Sequence, residues 1–196
     1  MTANQELLPI SENWDKALAI VAHPDDLEYG AASAIARWTS QGKDIQYLLV
    51  TEGEAGIDSM DPKDVGPLRR NEEIASAQVV GVTDVQFLDY KDGVVEYGLP
   101  LRRDLTKIIR SKKPDVIITI NHELQFSQGH LNMADHRYVA LAAFDAARDA
   151  GNRWIFQELL DEGFLPWTGV KMVMVAASPN PTHWVDVGDS IELGIQ

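Results

Sequence analysis

The run Ala17-Leu18-Ala19-Ile20-Val21-Ala22, which ends directly on His23-Pro24-Asp25-Asp26, is the stretch that decides the fold of this chain. Six consecutive apolar residues are typical of a strand that is buried on both faces, as in a parallel sheet. The next four residues bring an imidazole and two carboxylates to the end of that strand. In open parallel sheets, ligands bind beyond the carboxyl ends of the strands. The stretch therefore predicts a central strand with a functional crevice at its end.

Strands and helices alternate along the rest of the chain. Apolar or β-branched runs predict further strands, and the amphipathic segments between them predict helices. This alternation is typical of the α/β class, with a mostly parallel sheet in the middle of three layers and helices on both faces. The predicted strands are 17–22, 45–51, 85–88, 116–120, 170–176 and 184–187, and the predicted helices are 28–41, 68–80, 101–112 and 135–150.

Two long loops follow predicted strand ends, at residues 53–67 and 121–134. Connections of this length are uncommon in compact domains and are usually functional. Since the carboxyl ends of parallel strands share one edge of the sheet, both loops should meet residues 23–26 in one crevice.

Length, composition and charge limit the class of protein. The 196 residues, 45% of them apolar, predict one globular domain over residues 1–196. The formal net charge of −13 argues against nucleic acid as a partner. The sequence contains no apolar run long enough to span a membrane, no signal peptide in residues 1–10 and no cysteine, which together predict a cytoplasmic protein. The oligomeric state stays open and includes a homo-oligomer.

The end of the chain departs from the expected pattern. A closing helix is expected after the strand 184–187, but the sequence stops soon afterwards at Gln196. Either the tail is short or the C-terminal end is truncated.

The residue types after the first strand fit a catalytic metal site. Zinc takes histidine nitrogen and carboxylate oxygen as ligands and leaves one position open for water in catalytic sites. The spacing of His23 and Asp26 allows both to reach one ion, while Asp25 stays free to take a proton from water. Glu28 could orient His23 as a hydrogen-bond acceptor. Alternatively, Asp25, Asp26 and Glu28 have no catalytic role and only lie at a helix N-terminus, where negative charge is favoured.

A third ligand must come from elsewhere in the chain, and His136 is the best candidate because it lies at a helix start after a long loop. Its neighbour Asp135 could hold an imidazole or the general base in place. His122 and His130, on the same loop, are each either a group that polarises a substrate carbonyl or a solvated loop residue.

The motifs together resemble those of the PIG-L/LmbE-like family of zinc-dependent de-N-acetylases. Ala22-His23-Pro24-Asp25-Asp26-Leu27-Glu28 is similar to the signature of that family. The weaker similarities are Thr51-Glu52-Gly53-Glu54, Leu68-Arg69-Arg70-Asn71-Glu72-Glu73, Asp92-Gly93 and Ala134-Asp135-His136-Arg137.

The resemblance implies a Rossmann-like sheet and assigns roles to particular residues. It implies that His23, Asp26 and His136 hold Zn²⁺ or another divalent metal. It also implies that Asp25 is the general base and acid, and that Arg69 and Asp92 contact a polar, sugar-like substrate. The activity that it implies is removal of an N-acetyl or similar N-acyl group from a small amino-sugar-like molecule.

One position departs from the family pattern. The family usually has a histidine three residues before the last metal ligand, where this chain has Met133. Methionine cannot polarise a carbonyl, so either the metal does this alone or His130 reaches into the site. The departure favours an alternative hypothesis: a metal-binding but weakly catalytic member that serves as a binding or accessory protein in a biosynthetic pathway.

Overall fold

The computed structural model describes residues 6–127 and 129–195. In these ranges the strands are β1 (Leu8–Pro9), β2 (Lys16–Val21), β3 (Asp44–Leu49), β4 (Val85–Phe87), β5 (Val116–Ile120), β6 (Gln125–Ser127), β7 (His130–Leu131), β8 (Met172–Ala176) and β9 (His183–Trp184). The helices are α1 (Asp26–Gly30), α2 (Ala32–Ser40), α3 (Pro62–Val79), α4 (Leu99–Lys112), α5 (Ala134–Ala150), α6 (Glu158–Asp161) and α7 (Ile191–Gly194).

Five parallel strands form the central sheet in the order β4-β3-β2-β5-β8. Strand β2 is in the middle, where Ala17 pairs with Ile45 on one side and with Val116 on the other. Alternate residues of β2 point to two separate buried clusters, one with α2 and α3 and one with α4 and α5. The predicted α/β class with helices on both faces is therefore confirmed.

The strand order reverses between β2 and β5, because the chain first builds strands to one side of β2 and then crosses to the other. In doubly wound sheets the ligand crevice lies at this switch point. The segment that follows β2 begins with Ala22 and His23, and the segment that follows β5 leads to α5. The topology thus brings both predicted clusters to the same edge of the sheet.

Several predicted element boundaries were wrong. The helix predicted over 28–41 is divided into α1 and α2 at Ala31. The loop predicted over 53–67 is shorter, since α3 begins at Pro62. There the Asp61 side chain accepts a hydrogen bond from the backbone N–H of Lys63 (3.1 Å). An aspartate N-cap followed by proline is a strong helix start that outweighs the apolar pattern on which the prediction relied.

The later parts of the chain also differ in detail. The loop predicted over 121–134 contains the β6–β7 hairpin, with Gly129 at a φ of +84° in its turn. The strand predicted over 184–187 is reduced to β9, which pairs with β1 outside the central sheet. Helix α7 follows and packs on α2, where the Ser190 hydroxyl donates to the carbonyl of Ser33 (2.7 Å). In the described ranges, every helix is too short or too polar to cross a membrane.

Candidate functional site

The end of β2 is held rigidly by its neighbour β3. Both the backbone N–H and the hydroxyl of Thr51 donate to the carbonyl of Ala22, at 2.9 Å each. The carboxylate of Asp26 turns back and its Oδ2 accepts the backbone N–H groups of Ala22 (3.0 Å) and His23 (2.9 Å). These bonds fix the turn after the strand and leave Oδ1 of Asp26 available for another partner.

Three predicted metal ligands, from two distant parts of the chain, lie together at this edge. His23 Nδ1 is 3.1 Å from His136 Nε2, and His136 Nε2 is 3.0 Å from Asp26 Oδ1. All three side chains are buried, and their ligand atoms form a group that could hold a metal ion. Ligands at about 2.0–2.1 Å from a tetrahedral ion lie roughly 3.3–3.4 Å apart. The observed spacing is close to that arrangement.

Asn132, which sequence reasoning did not single out, sets the protonation of His136. The Asn132 amide nitrogen donates to the carbonyls of Asn121 (2.7 Å) and Glu123 (3.0 Å), so its oxygen must face the other way. That oxygen lies 3.0 Å from His136 Nδ1, which must therefore carry the proton. In the neutral ring, the lone pair of Nε2 then points at Asp26 Oδ1. Two lone pairs at this distance repel each other unless a cation lies between them, so the donor set fits a metal ion.

Two further carboxylates surround the other side of His23. Asp92 Oδ1 lies 2.9 Å and Asp135 Oδ2 3.5 Å from His23 Nε2. Asp135 is itself anchored, because it accepts the backbone N–H groups of Gly93 (2.7 Å) and Val95 (3.2 Å). Burial by itself lowers the pKa of His23, but Asp135, Asp26 and Asp92 outweigh it and raise this pKa to about 11. The surroundings of His23 thus strongly favour positive charge, as a cation site requires.

Asp25, the predicted general base, has an unusual backbone conformation. Its φ of +88° lies in the left-handed region, which non-glycine residues seldom adopt. Its carboxylate forms an ion pair with Arg69, in which Asp25 Oδ2 is 2.7 Å from Arg69 Nη2. Partial burial raises the pKa of Asp25, against the opposing charge of Arg69. A base with a raised pKa is better suited to carry a proton through a reaction.

Arg69 is held by the loops as well as by Asp25. It donates to the carbonyls of Pro24 (2.5 Å) and Gly53 (3.0 Å). A Cβ atom at Gly53 or at Gly56 would lie 2.4 Å from the guanidinium, so both glycines are needed for Arg69 to fit. Arg69 therefore organises the crevice in addition to facing it.

A cavity of about 610 Å³ opens over these residues. This volume is typical of a site for a small molecule. Arg69 and Asp92 both line it, as does Met133. The cavity also contains two aromatic residues that sequence reasoning missed, Tyr29 and Phe126. The complete lining is His23, Asp25, Asp26, Tyr29, Gly30, Ala55, Gly56, Arg69, Asp92, Gly93, Ile120, Phe126, Met133, His136 and Ala177.

Two residues discussed from the sequence lie elsewhere. His130 is exposed on β7, where its ring contacts the hydroxyl of Ser127 (3.2 Å), and it does not line the cavity. The suggestion that Glu28 orients His23 was wrong, because the carboxylate of Glu28 instead accepts a hydrogen bond from the hydroxyl of Ser76 on α3. The first turn of α1 directs residues 26 and 28 to different faces, so their proximity in sequence does not bring both to the histidine.

Comparisons with known proteins agree with this geometry. The sequence profile described as "PIG-L: GlcNAc-PI de-N-acetylase" matches residues 18–147. The diacetylchitobiose deacetylase of Thermococcus kodakarensis is 28% identical over 183 residues, which cover 92% of this chain and 67% of that protein. The 1D-myo-inositol 2-acetamido-2-deoxy-alpha-D-glucopyranoside deacetylase of Kineococcus radiotolerans is 24% identical over 206 residues, which cover 86% of this chain and 54% of that protein.

A solved structure is also similar over nearly the whole chain. The N,N'-diacetylchitobiose deacetylase of Pyrococcus horikoshii has a TM-score of 0.87 and 27% identity, covering 94% of this chain and 68% of that one. The chain thus spans between about half and two thirds of the length of these relatives. The matched segment includes most of β2, the three predicted metal ligands and most of α5, so the resemblance inferred from the motifs is confirmed: this chain belongs to the PIG-L, or GlcNAc-PI de-N-acetylase, family.

Proposed function

We propose that this chain is a metal-dependent hydrolase that removes an N-acetyl or similar N-acyl group from a small amino-sugar-like molecule. The observation that carries the proposal is the convergence of His23 Nδ1, Asp26 Oδ1 and His136 Nε2 in a cavity that is also lined by Asp25, whose carboxylate is not part of this ligand group. Relatives over most of the chain are named as deacetylases of acetylated amino sugars, which supports the same reaction here.

His23, Asp26 and His136 would hold the ion, and we propose Zn²⁺ because histidine nitrogen and carboxylate oxygen are its usual ligands. When bound, such an ion lowers the pKa of water to about 7 and polarises a carbonyl. Asp135 and Asp92 keep the His23 ring in place from the opposite side.

Asp25 is the proton carrier of the proposed reaction. Its carboxylate takes a proton from the attacking water as the water oxygen bonds to the acyl carbon. The C–N bond then breaks, and the proton passes to the leaving amine nitrogen. The products are an amine and a carboxylic acid, which ionises to a carboxylate and releases the second proton of the water. Arg69 lies against Asp25 and holds its carboxylate toward the cavity, while Arg69 and Asp92 offer polar contacts to a sugar-like substrate.

The alternative of a weakly catalytic accessory protein depends on Met133. Met133 removes one side chain that could stabilise an oxyanion, but the three-ligand cluster and Asp25 are both present. The named activities of the relatives also favour hydrolysis over simple binding.

A cytoplasmic location and a homo-oligomeric state are further parts of the proposal. Light scattering after size-exclusion chromatography measures the oligomeric state.

The test is release of free amine from a panel of N-acetylglucosaminides and longer N-acylglucosaminides by protein whose zinc content has been measured. We expect Asp25→Ala to lose about 10²-fold or more in kcat with its full metal content. Asp58→Ala, which changes an exposed loop carboxylate, is the matched control and should keep its activity. Undiminished activity in Asp25→Ala, or no amine release by the wild-type chain from any member of the panel, would overturn the proposal.

A further inference from the structure

The cavity has two chemically different sides, and the strand order separates them. Residues 53–56 follow β3 and Asp92-Gly93 follow β4, so these polar segments lie on the β3 side of β2, together with Arg69. Ile120 ends β5, Phe126 and Met133 follow it, and Ala177 follows β8, so these apolar residues lie on the opposite side. The metal-ligand cluster after β2 lies between the two.

The apolar side, which we call the apolar wall, comprises Ile120, Phe126, Met133 and Ala177. We include Tyr29 of α1, because a Cβ at its neighbour Gly30 would lie 3.9 Å from Cγ2 of Ile120. The ring of Phe126 packs edge-on against His136, with 5.5 Å between ring centroids, so the wall begins directly beside a metal ligand. Tyr29, Phe126 and Met133 are nevertheless 90%, 39% and 49% exposed. Apolar surface of this kind, left open to solvent next to a reactive site, is typical of a place where a ligand binds.

The reaction geometry determines which part of the substrate meets this wall. An amide whose carbonyl lies over the cluster extends its acyl group in one direction and its amine substituent in the other. Sugar hydroxyls need hydrogen-bond partners, and the polar side chains Arg69 and Asp92 line the cavity on the β3 side. The reverse orientation would leave those hydroxyls unpaired against Phe126 and Met133, at a cost in free energy. The acyl group therefore points to the apolar wall.

We propose that the apolar wall is an acyl-binding site that selects N-acyl groups longer than acetyl. This inference rests on the proposed hydrolase function and specifies its substrate class. Each fully buried methylene contributes about 0.8 kcal/mol, a factor of about four in binding. Because the wall is open to solvent, we expect about a twofold gain for each added methylene.

Binding is measured separately from turnover. Calorimetry with the zinc-loaded protein would compare acetate, butanoate and hexanoate, which carry the acyl chains of the proposed products. Hexanoate has four more methylenes than acetate, so we expect it to bind about 16-fold more tightly. Phe126→Ser should abolish most of this difference. Leu131→Ser, on the same hairpin but outside the cavity lining, is the matched control and should retain it. Equal affinities for acetate and hexanoate in the wild-type protein would overturn the acyl-binding site.

Turnover is measured with N-acetyl-, N-butyryl- and N-hexanoylglucosamine. We expect kcat/KM to rise with chain length. A higher kcat/KM for the acetyl substrate would overturn the acyl-binding site but would leave the proposed hydrolase function intact. Tighter binding of hexanoate without hydrolysis of any of the three substrates would support the site and count against the hydrolase function instead. The two failures are therefore distinguishable.

Discussion

The backbone N–H of Asp25 donates to Oε2 of Glu73 (3.2 Å), a residue 48 positions away on α3. Glu73 is buried, and its other carboxylate oxygen has no hydrogen-bond partner among the described residues. Since Asp25 has a left-handed backbone, which costs about 1–2 kcal/mol in a non-glycine residue, a bond to its N–H helps to hold that conformation. Glu73 is thus a positioning residue for the proposed base.

Replacing Glu73 with leucine should slow the reaction without loss of metal. Without the acceptor, the turn at Asp25 relaxes and its carboxylate moves, and a displacement of about 1 Å can cost up to about 10²-fold in rate. We expect Glu73→Leu to lower kcat about tenfold or more, with KM little changed, and Glu73→Gln to lose less because its amide oxygen still accepts. Steady-state kinetics at equal zinc content measure this. Glu72→Leu, at the exposed neighbouring position, is the control, and equal kcat values for the two leucine variants would contradict the prediction.

The same residue should make stability depend on pH. Burial, together with the negative charge of Glu28, raises the pKa of Glu73 from 4.5 to about 8. Between these two pH values the unfolded chain has lost this proton and the folded chain keeps it, so the free energy of unfolding falls as the pH rises. Glu73→Gln does not titrate and should lack this decrease.

Urea denaturation of the wild-type chain and of Glu73→Gln at pH 4.5 and pH 8 measures the effect. At each pH we compare the free energy of unfolding of Glu73→Gln with that of the wild-type chain. We expect the value of the variant minus that of the wild type to be larger at pH 8 than at pH 4.5. A difference between the two proteins that is the same at both pH values would show that Glu73 does not titrate in this range.

Asn132 should control metal affinity through His136. Asn132→Ala removes the acceptor that keeps the proton on Nδ1 of His136, and with it the orientation of Nε2 toward the metal site. Loss of such a partner typically costs about 10–100-fold in metal affinity. Competition with a zinc chelator measures the affinity, and Asn71→Ala, at an exposed position on α3, is the matched control. Zinc affinities that are equal in Asn132→Ala and Asn71→Ala would contradict this role.

A histidine at position 133 should improve hydrolysis of N-acetyl substrates. Met133 lines the cavity at the start of α5 and offers no hydrogen-bond donor to a developing oxyanion. One such donor is typically associated with about 10²–10³ in rate, and an introduced one should recover part of it. We expect Met133→His to raise kcat on N-acetylglucosaminides about tenfold. Leu131→His places the same ring outside the cavity lining and should not raise kcat. An unchanged kcat in Met133→His would contradict the prediction.

The strands and the residues at their ends could be predicted from the sequence. Continuous apolar runs such as residues 17–22 and 116–120 have few alternatives to buried parallel strands, and parallel strands align their carboxyl ends. This is why His23 and Asp26 could be placed with His136, which follows the strand on the other side of the switch point. Helix α3 begins before the predicted residue 68 because Asp61 caps its N-terminus and Pro62 fits its first turn, features that the apolar pattern does not contain.

The tertiary structure alone decided how the side chains around these ligands are arranged. Glu73 reaches Asp25, Asn132 fixes His136 and Phe126 packs beside that ring, whereas His130 stays outside the cavity. The first contact joins segments 48 residues apart, and the others depend on the path of a loop with its own hairpin. Periodicity encodes which face of an element is buried, but hydrogen bonds between distant segments depend on how those elements pack.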